Sequence, residues 1–399
     1  MKRVMLVNAV HKEQKRMVIV ESGKLVEFNI QMSARDITVG NVYKGIVRKI
    51  EKGLQAAFVD YGAIKNGFLP IKDIPPVFFS TSSSGVTQLN VGQNIIVQVV
   101  RDPNEQKGAL LTSYISLPGR YLVLMPNKAS VGISRKIESD EDRKKLKSIM
   151  SQIKIQEGMG FIVRTAGLNR KKQELLRDYL NTFRLYKEIV KMGSRADAPA
   201  LLHHESDFGV CTLRDYLTTE VEDIFVDDPE TLKKMRDYCR IVAPKMVKNI
   251  KQYKDDAPIF DQSRLEEQIQ EIYQDRVFLR SGGHIVISHT EAMITIDVNS
   301  GRGSSNKNVE ETALKTNLSA AGEIARQLRL RDLGGLIVID FIDMMDKNNI
   351  AEVEKTFLEA LSIDRARIQT SKISKFGLLE ISRQKKQPTI QEISYIHCP

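Results

Sequence analysis

The sequence has few cysteines and no long apolar segment. Its 399 residues include three cysteines, Cys211, Cys239 and Cys398, which lie far apart and form no CxxC pair. An odd number of scattered cysteines argues against a disulfide framework and favours a reducing compartment. The N-terminal VMLVNAV run has only seven residues and no cleavage pattern of small residues after it, so we predict a strand rather than a signal peptide. No apolar run approaches the roughly 18 residues that span a bilayer, and we expect a cytoplasmic protein without a membrane segment.

Acidic residues are outnumbered by basic ones. Lys and Arg total 60 against 50 Asp and Glu, which gives a net charge of +10 and a pI near 9.3. This excess favours a polyanionic partner, with nucleic acid first, although a solvated basic surface is the plain alternative. The length is enough for about two to four domains with their own cores.

Two apolar segments contain aspartates, one in the first and two in the second, and none of the six histidines lies in either segment. They read ITIDVNS, with Asp297 and Asn299, and GGLIVIDFIDM, with Asp340 and Asp343. β-Branched residues dominate both, so we predict strands. Side chains alternate along a strand, which puts Asp297 and Asn299 on one face and points Asp340 and Asp343 in opposite directions if the strand stays regular. The expected site is therefore Asp297, Asn299 and Asp340.

A site made only of oxygen ligands suits Mg²⁺, which is often held by one or two carboxylates while keeping water and phosphate oxygens. Metal-assisted hydrolysis of a phosphodiester is the corresponding chemistry. The alternative from the pattern alone is that these aspartates cap strands or pair with nearby arginines.

A helix is predicted between the two carboxylate segments. Apolar residues recur there at helical spacing, Asn308 can cap the start, and Gly334 or Gly335 can end it. The apolar positions are Leu314, Leu318, Ala321, Ala325 and Leu328. Strand, helix and strand predict a βαβ unit with parallel strands whose carboxylates converge. A further helix and strand follow, with Arg365 and Arg367 as candidate phosphate ligands.

Residues 37 to 118 read as short strands joined by turns, which predicts a small β-barrel. Phe58, Tyr61 and Phe68 either stack bases or fill the barrel, and the pattern alone slightly favours filling. Lys107 beside Gly108 is a candidate phosphate contact. The serine-rich STSSSG stretch at 80 to 85 is predicted to be a loop.

Residues 119 to 208 read as an α/β module. Its GFIVRTAG segment places Arg164 and Thr165 at the end of a predicted strand, just before Gly167, where a guanidinium, a hydroxyl and backbone amides can hold a phosphate. Beyond it we predict a strand over FGVCTLRDYL and a helix around PETLKKMRDY. The basic KMVKNIKQYK run is typical of a solvated face.

Several of these motifs together resemble the catalytic region of the ribonuclease E/G family. The matches, in the family's order along the chain, are NVYKGIV, AAFVDYG, GFLP, YLVLMPN, GMGFIVRTAG, IDVNSGRG, EIARQLRLRDLGGLIVIDFIDM, DRARIQ and KFGLLEISRQ. They cover nearly the whole chain.

The resemblance implies an endoribonuclease that hydrolyses single-stranded, AU-rich RNA and leaves 5′-phosphate and 3′-hydroxyl ends. It implies roles in rRNA and tRNA processing and in mRNA decay. By the same resemblance, Asp297 and Asp340 bind the catalytic Mg²⁺, and Asn299 orients the scissile phosphate or the attacking water.

The resemblance also implies two RNA-contacting regions. One senses a 5′-monophosphate, at the positions Gly119, Val123, Arg164, Thr165 and Arg367. The other is an S1-type domain, in which Phe58, Phe68 and Lys107 match the RNA contacts of the family. For the two phenylalanines, this replaces the core-filling interpretation.

The implied fold is α/β, with mixed α+β domains. An S1-type OB-fold barrel at 37 to 118 and the 5′-end sensor at 119 to 208 are inserted in a ribonuclease-H-like region formed by residues 1 to 36 and 209 to 272. Residues 273 to 399 resemble a deoxyribonuclease-I-like catalytic domain. The ribonuclease-H-like region is not expected to be catalytic.

One departure from the family concerns zinc. Family members carry a second cysteine soon after the position of Cys398, and two such pairs bind one Zn²⁺ between subunits. This sequence has no cysteine after Cys398. We expect the zinc, and the family's homodimer or homotetramer, only in a longer chain, and the same holds for partners of an RNA-degrading assembly. Two other functions stay open: a non-catalytic RNA-binding protein, against which the retained carboxylates argue, and a nuclease acting on DNA.

Overall fold

The computed structural model describes residues 3–32, 38–81, 87–103, 107–137, 139–205, 207–218, 220–261, 264–301 and 309–385. The chain divides into two compact units. The first comprises Met1–Ser33, Thr219–Leu232 and Lys248–Pro399, and the second comprises Ala34–Thr218 and Lys233–Val247. The second unit is thus inserted, along the chain, into the first.

The strands are, in chain order, β1 Arg3–Asn8, β2 Gln14–Glu21, β3 Lys24–Met32, β4 Val42–Glu51, β5 Ala56–Asp60, β6 Gly67–Pro70, β7 Ser80–Thr81, β8 Thr87–Gln88, β9 Asn94–Arg101, β10 Leu110–Thr112, β11 Leu117–Pro118, β12 Leu122–Pro126, β13 Val131–Ile133, β14 Met159–Val163, β15 Ala200–His203, β16 Val221–Val226, β17 Ile250–Gln252, β18 Arg276–Phe278, β19 His284–His289, β20 Ile294–Asn299, β21 Gly335–Asp340, β22 Ile368–Thr370 and β23 Leu378–Arg383. The α-helices are α1 Asp140–Ser151, α2 Lys172–Arg195, α3 Phe208–Tyr216, α4 Pro229–Val242, α5 Leu265–Glu271, α6 Val309–Leu330 and α7 Lys347–Leu361.

A five-stranded sheet in the first unit has the order β17-β16-β1-β2-β3. β1 lies antiparallel to β2, the next strand along the chain, and parallel to β16, which is more than two hundred residues away. Apolar side chains of β2 and β3, including Val18 and Phe28, form a buried cluster with Phe260 and Leu265. This cluster holds the sheet against α5 and the segment before it.

A six-stranded sheet in the same unit has the order β18-β19-β20-β21-β23-β22. β20 and β21 are parallel and α6 connects them, which confirms the predicted βαβ unit. Ile296 on β20 and Ile339 on β21 are buried in one cluster with Ala321 and Ile324 of α6. Small residues let this helix approach the sheet closely. The polar residues of β20 therefore lie on the opposite face of the sheet from α6.

The end of α6 differs from the glycine stop that we predicted. The helix ends at Leu330, Asp332 takes a left-handed conformation with φ 47°, and the backbone N–H of Leu333 donates to the carbonyl of Leu328 at 3.1 Å. This is a Schellman arrangement, in which a non-glycine residue occupies the left-handed position. Arg383 holds the Asp332 carboxylate at 2.8 Å, which helps to offset the conformational cost. The predicted cap Asn308 lies outside the described residues.

A closed barrel forms the first part of the second unit. Its strands are ordered β4-β5-β6-β10-β9, β4 pairs with β9 to close it, and β15 adds to β4. Val47, Val59, Leu69, Val97 and Leu111 are fully buried inside it. A five-stranded closed barrel is the OB-type architecture expected from the sequence.

The rest of the second unit contains a four-stranded sheet of order β11-β12-β14-β13. Phe161 of β14 packs against Tyr179 of α2, with the ring centroids 6.0 Å apart. Leu146 of α1 and Leu175 of α2 join the same buried cluster. This is the predicted α/β module.

The FGVCTLRDYL segment is a helix, α3, and our strand prediction for it was wrong. Asp207 caps the helix, because its side chain accepts a hydrogen bond from the backbone N–H of Gly209 at 2.9 Å. Phe208, Thr212 and Leu213 are buried. Their spacing of four and five residues is helical, whereas the high strand propensity of Val, Cys and Thr had suggested alternation.

The fold class predicted from the sequence, a mixed α/β multidomain protein with an OB-type barrel, is confirmed. In the described part of the chain, no helix is both long and apolar enough to cross a membrane.

Candidate active site and nucleic-acid interface

The two carboxylates predicted from the sequence lie side by side. Asp297 and Asp340 are register partners on the parallel strands β20 and β21, and both side chains are exposed. The register follows from the buried residues, since Ile296 and Ile339, which precede the aspartates, both enter the core and force the next residues to the other face. The strand ends thus present two negative charges on one surface.

Asn299 lies on the same face as Asp297, as strand alternation predicts. Its side-chain amide donates a hydrogen bond from Nδ2 to Oδ2 of Asp297 at 2.7 Å. An asparagine carries a second N–H and a carbonyl oxygen. Both are groups that can contact a phosphate or a water beside the carboxylates.

The carboxylates repel one another. The pKa of Asp340 is raised above its usual value of 3.8, first by partial burial and then by the negative charges of Asp297 and Asp343. A cation between these groups would relieve the repulsion.

Asp343 belongs to this site, although strand alternation pointed it away. β21 ends at Asp340, so alternation does not continue to residue 343. A Cβ atom placed on Gly377 would lie 3.3 Å from Oδ1 of Asp343 and 3.8 Å from Oδ1 of Asp340. The turn at Gly377 therefore approaches both carboxylates.

The oxygen donors at this surface fit a hard divalent cation. Within the ranges that the structure describes, no three His, Cys, Asp or Glu side chains are grouped as a metal cage. Mg²⁺ needs no such cage, because it commonly takes one or two protein carboxylates and completes its octahedron with water and substrate oxygens. Asp297 and Asp340 are the residues that would hold it, with Asp343 close by.

Phe58 and Phe68 form a pair on the barrel. They are register partners on β5 and β6, their ring centroids lie 5.9 Å apart in an edge-to-face arrangement, and both are only half-buried. Tyr61, by contrast, is 3% exposed and belongs to the barrel core. Core filling thus describes the tyrosine, while the two phenylalanines present aromatic surface to solvent, as base stacking requires.

Lys107 lies next to the same strands. It is exposed and precedes β10, whose Leu110 pairs with Phe68. Gly108 is needed beside it, because a Cβ atom there would meet the carbonyl oxygen of Asn66 at 2.1 Å. The lysine is therefore carried by a segment that packs tightly beside the aromatic pair.

Arg164 is anchored at the end of β14. Its Nη1 donates to the carbonyl oxygen of Gly119 at 2.8 Å, and its Nη2 donates to Oδ1 of Asp215 at 2.6 Å. Gly119 is itself tightly packed, since a Cβ atom there would lie 2.5 Å from Oδ2 of Asp178. Asp178 accepts backbone hydrogen bonds from Arg120, Tyr121 and Leu122, which fixes the turn that carries Gly119.

Thr165 and Val123 complete the part of the predicted 5′-end site that lies in the second unit. Thr165 is exposed and begins a short 3₁₀ turn directly after Arg164, while Val123 is half-buried on β12 opposite Ile162 of β14. The structure thus brings Gly119, Val123, Arg164 and Thr165 onto two neighbouring strands and their ends.

Arg367 lies in the first unit, so its place relative to those four residues is not described. It is exposed and immediately precedes β22. Arg365, the other candidate arginine, forms an ion pair with Glu27 at 3.3 Å. Cys398 and residues 82 to 86 of the predicted serine-rich loop lie outside the described residues, while Ser80–Thr81 of that stretch form β7.

Sequence reasoning missed Asp178 and Asp215, and it placed Asp343 outside the site. The first two lie in amphipathic helices, where a single aspartate carries no recognisable signal. Asp343 could have been found by noting that FIDM follows a strand of typical length and need not continue it.

Comparisons with known proteins identify the family of the chain. Residues 116–386 match the model of the ribonuclease E/G family, and residues 36–111 match the S1 RNA binding domain. The whole chain aligns at 45% identity with ribonuclease E of Haemophilus influenzae and at 44% with ribonuclease E of Escherichia coli K12. It spans 43% and 38% of the length of those two relatives. It also aligns over 99% of its length, at 37% identity, with ribonuclease G of E. coli K12, and covers 82% of that protein.

The family match covers most of the chain, and the alignments with the ribonuclease E relatives extend over all of it. The resemblance that the motifs indicated is thereby confirmed: the chain belongs to the ribonuclease E/G family.

Proposed function

We propose that this protein is an Mg²⁺-dependent endoribonuclease that hydrolyses phosphodiester bonds in single-stranded RNA. The observation that carries the proposal is the pairing of Asp297 with Asp340 on adjacent parallel strands, with Asn299 hydrogen-bonded to Asp297. Family membership and the S1 match support RNA as the substrate.

The residues divide the chemistry between them. Asp297 and Asp340 would hold the cation, which would offset the repulsion that, after partial burial, raises the pKa of Asp340. When bound, Mg²⁺ supplies positive charge against the phosphate oxygens and makes the attacking water more acidic. Asn299 keeps Asp297 in place with one N–H and offers its remaining N–H and its carbonyl oxygen to the scissile phosphate or the water.

A preference for 5′-monophosphorylated, AU-rich RNA is part of the proposal. Arg164 is held by the carbonyl of Gly119 and by Asp215, so its remaining N–H groups have a defined direction. The adjacent Thr165 hydroxyl is exposed and adds a donor. A planar guanidinium with a neighbouring hydroxyl fits a terminal phosphate. Val123 and Arg367 are further 5′-end residues that the family resemblance implies.

Phe58, Phe68 and Lys107 would bind the single strand itself. Bases stack on exposed aromatic rings, and a lysine beside them neutralises the backbone. We assign processing of rRNA and tRNA and decay of mRNA to the same activity, with 5′-phosphate and 3′-hydroxyl products. Zn²⁺ at Cys398, a homodimer or homotetramer and partners in an RNA-degrading assembly complete the proposal for a longer chain.

The test is cleavage of a fluorescent, 5′-monophosphorylated AU-rich oligoribonucleotide with and without Mg²⁺. We expect metal-dependent cutting, a fall of at least about a hundredfold in Asp297→Asn, and unchanged RNA binding by the variant. The same oligonucleotide made as DNA should stay intact. Equal cutting by the variant would overturn the metal assignment, and RNA binding without cutting by the parent chain, also when extended beyond Pro399, would favour a non-catalytic RNA-binding protein.

A further inference from the structure

An exposed phenylalanine lies at the edge of the carboxylate sheet. Phe278 of β18 is 74% exposed, the highest value for an aromatic side chain in the described part of the chain. β18 is an edge strand that pairs only with β19. The neighbouring Val277 and Leu279 are buried, so the core does not account for the ring of Phe278.

Strand register connects this ring to the proposed active site. Phe278 is the partner of His284 on β19, and His284 is the partner of Asn299 on β20. Directly opposed residues of antiparallel strands share a face, so all three lie on the face that carries Asp297. The rings of Phe278 and His284 are 6.2 Å apart. Phe278 is two strand spacings, about 10 Å, from Asn299.

Positive charge flanks the ring. Arg276 precedes it on the same face, in the row of residues that runs through Val286 to Asp297, and Arg280 follows it. Both arginines are exposed, and neither forms an ion pair with a described residue. Lys24 and Arg326 pair with Glu323 on the α6 side of this edge, where Glu271 also lies, and Arg276 and Arg280 are the two cationic groups that flank the Phe278 ring.

A groove of about 860 Å³ runs along this edge and is lined in part by Arg276, Phe278 and Arg280. The groove opens on the α6 side of the sheet, at Ser319 and Gly322, so it adjoins the edge strand but does not lie on the face that carries Asp297.

We propose that Phe278, with His284, forms a stacking subsite for one base of the single-stranded RNA, close to the scissile phosphate, and that Arg276 and Arg280 contact the flanking phosphates. The subsite rests on the proposed function, because it is close to the scissile phosphate only if Asp297 and Asn299 belong to the active site. An aromatic ring between exposed arginines is the combination that binds single-stranded nucleic acid.

A double-mutant cycle between protein and RNA tests the subsite. Binding of a labelled AU-rich oligoribonucleotide is measured by fluorescence anisotropy in EDTA, together with a series in which one base at a time is replaced by an abasic site. Phe278→Ala should weaken binding of the intact RNA on the order of tenfold. For the one RNA in which the abasic site removes the stacked base, Phe278→Ala and the parent chain should bind with equal affinity. Phe278→Trp should bind like the parent chain, and Leu358→Ala, which also removes an exposed apolar side chain, should not change binding.

Two results would overturn the subsite: equal binding by Phe278→Ala and the parent chain, or a loss that is the same for every abasic position. A shift in sedimentation coefficient on Phe278→Ala, with RNA affinity unchanged, would instead assign this edge to contact with a second copy of the chain. The binding assay contains no metal and does not depend on cleavage. If the separate cleavage assay failed, the proposed function would be refuted, and the binding assay would still test the subsite.

Discussion

At the scale of single residues, the surroundings of Asp340 suit a cation but lower the stability of the metal-free protein. Its carboxylate is partly buried and lies among other negative charges, and both effects raise its pKa and disfavour the charged form in the folded chain. Groups that bind a cation are commonly arranged in this way and destabilise the metal-free protein. The cost of the site should therefore be measurable without any substrate.

We predict that Asp340→Asn raises the melting temperature of the metal-free chain at neutral pH by about 1–2 °C. The folded chain binds the Asp340 proton more tightly than the unfolded chain does, so this contribution to stability is present in acid and is lost as pH rises through the pKa of the folded state. The difference between variant and parent should shrink as pH is lowered toward about 4. Mg²⁺ should raise the melting temperature of the parent only. Scanning calorimetry at several pH values measures these melting temperatures. If the variant melts below the parent at pH 7, repulsion at Asp340 does not destabilise the folded chain.

Arg164 allows a second prediction at this scale. Replacing it with Gln removes the charged fork that Gly119 and Asp215 hold in place, so the preference for 5′-monophosphate over 5′-triphosphate RNA should fall to about one, while cleavage of RNA without a free 5′ end continues. The ratio of the two kcat/KM values is the measurement. The matched control is Arg177→Gln, which makes the same change in charge on α2. An unchanged ratio in the Arg164 variant would remove this residue from the 5′-end site.

At the scale of elements, sequence patterns predicted the strands and helices that have a strong apolar period. β20, α6 and β21 were predicted together with their parallel pairing, because each has an uninterrupted buried face. α3 was missed because it is short and rich in residues of high strand propensity, and its cap at Asp207 outweighs that propensity. Asp343 was misassigned because no pattern marks where a strand stops alternating. The packing of Asp178 under Gly119 depends on contacts between distant parts of the chain, which sequence periodicity does not contain.

The hairpin between β22 and β23 is predicted to support the carboxylates. Gly377 has a φ of +75°, and a Cβ atom there would meet the carbonyl of Phe341 at 3.0 Å and the Asp343 carboxylate at 3.3 Å. Gly377→Ala should therefore cost about 1–2 kcal/mol of stability and also displace the strand end that carries Asp340, lowering kcat. Urea unfolding and steady-state kinetics measure the two effects.

The matched control for this variant is Gly158→Ala. Gly158 has a similar φ of +79°, but no atom lies within 4 Å of the position that a Cβ would take, so alanine there adds the conformational cost without a steric contact. Stability should fall by a similar amount, and kcat should stay within about twofold. A normal kcat in the Gly377 variant would show that the hairpin does not position the site.

At the scale of the whole molecule, binding and hydrolysis are assigned to different units. The aromatic pair belongs to the second unit and the carboxylates to the first. The barrel and the general α/β character were predictable because the two regions differ in the spacing of their apolar residues and turns. The division of the first unit into three separated segments is not visible in any local pattern.

We predict that the two units affect different kinetic constants. Phe68→Ala should raise KM for RNA on the order of tenfold with kcat nearly unchanged, whereas Asp340→Asn should abolish kcat and leave binding intact. Because Phe58 and Phe68 touch, the double variant should lose less affinity than the sum of the two single losses. Val77→Ala, an exposed apolar residue of the same unit, is the control. Strictly additive losses, or a fall in kcat alone for Phe68→Ala, would argue against a shared stacking surface.

The pairing of β1 with β16 affects how the chain is made. β2 follows β1 directly along the chain, but the other edge of β1 pairs with residues that begin at Val221. A ribosome adding ~5–20 residues per second needs roughly 10–40 s to supply that strand. During this interval the nascent hairpin has an open edge, which is the kind of surface that associates with other chains. Slow translation between β3 and β16 should therefore reduce the soluble yield more than an equal delay after β16.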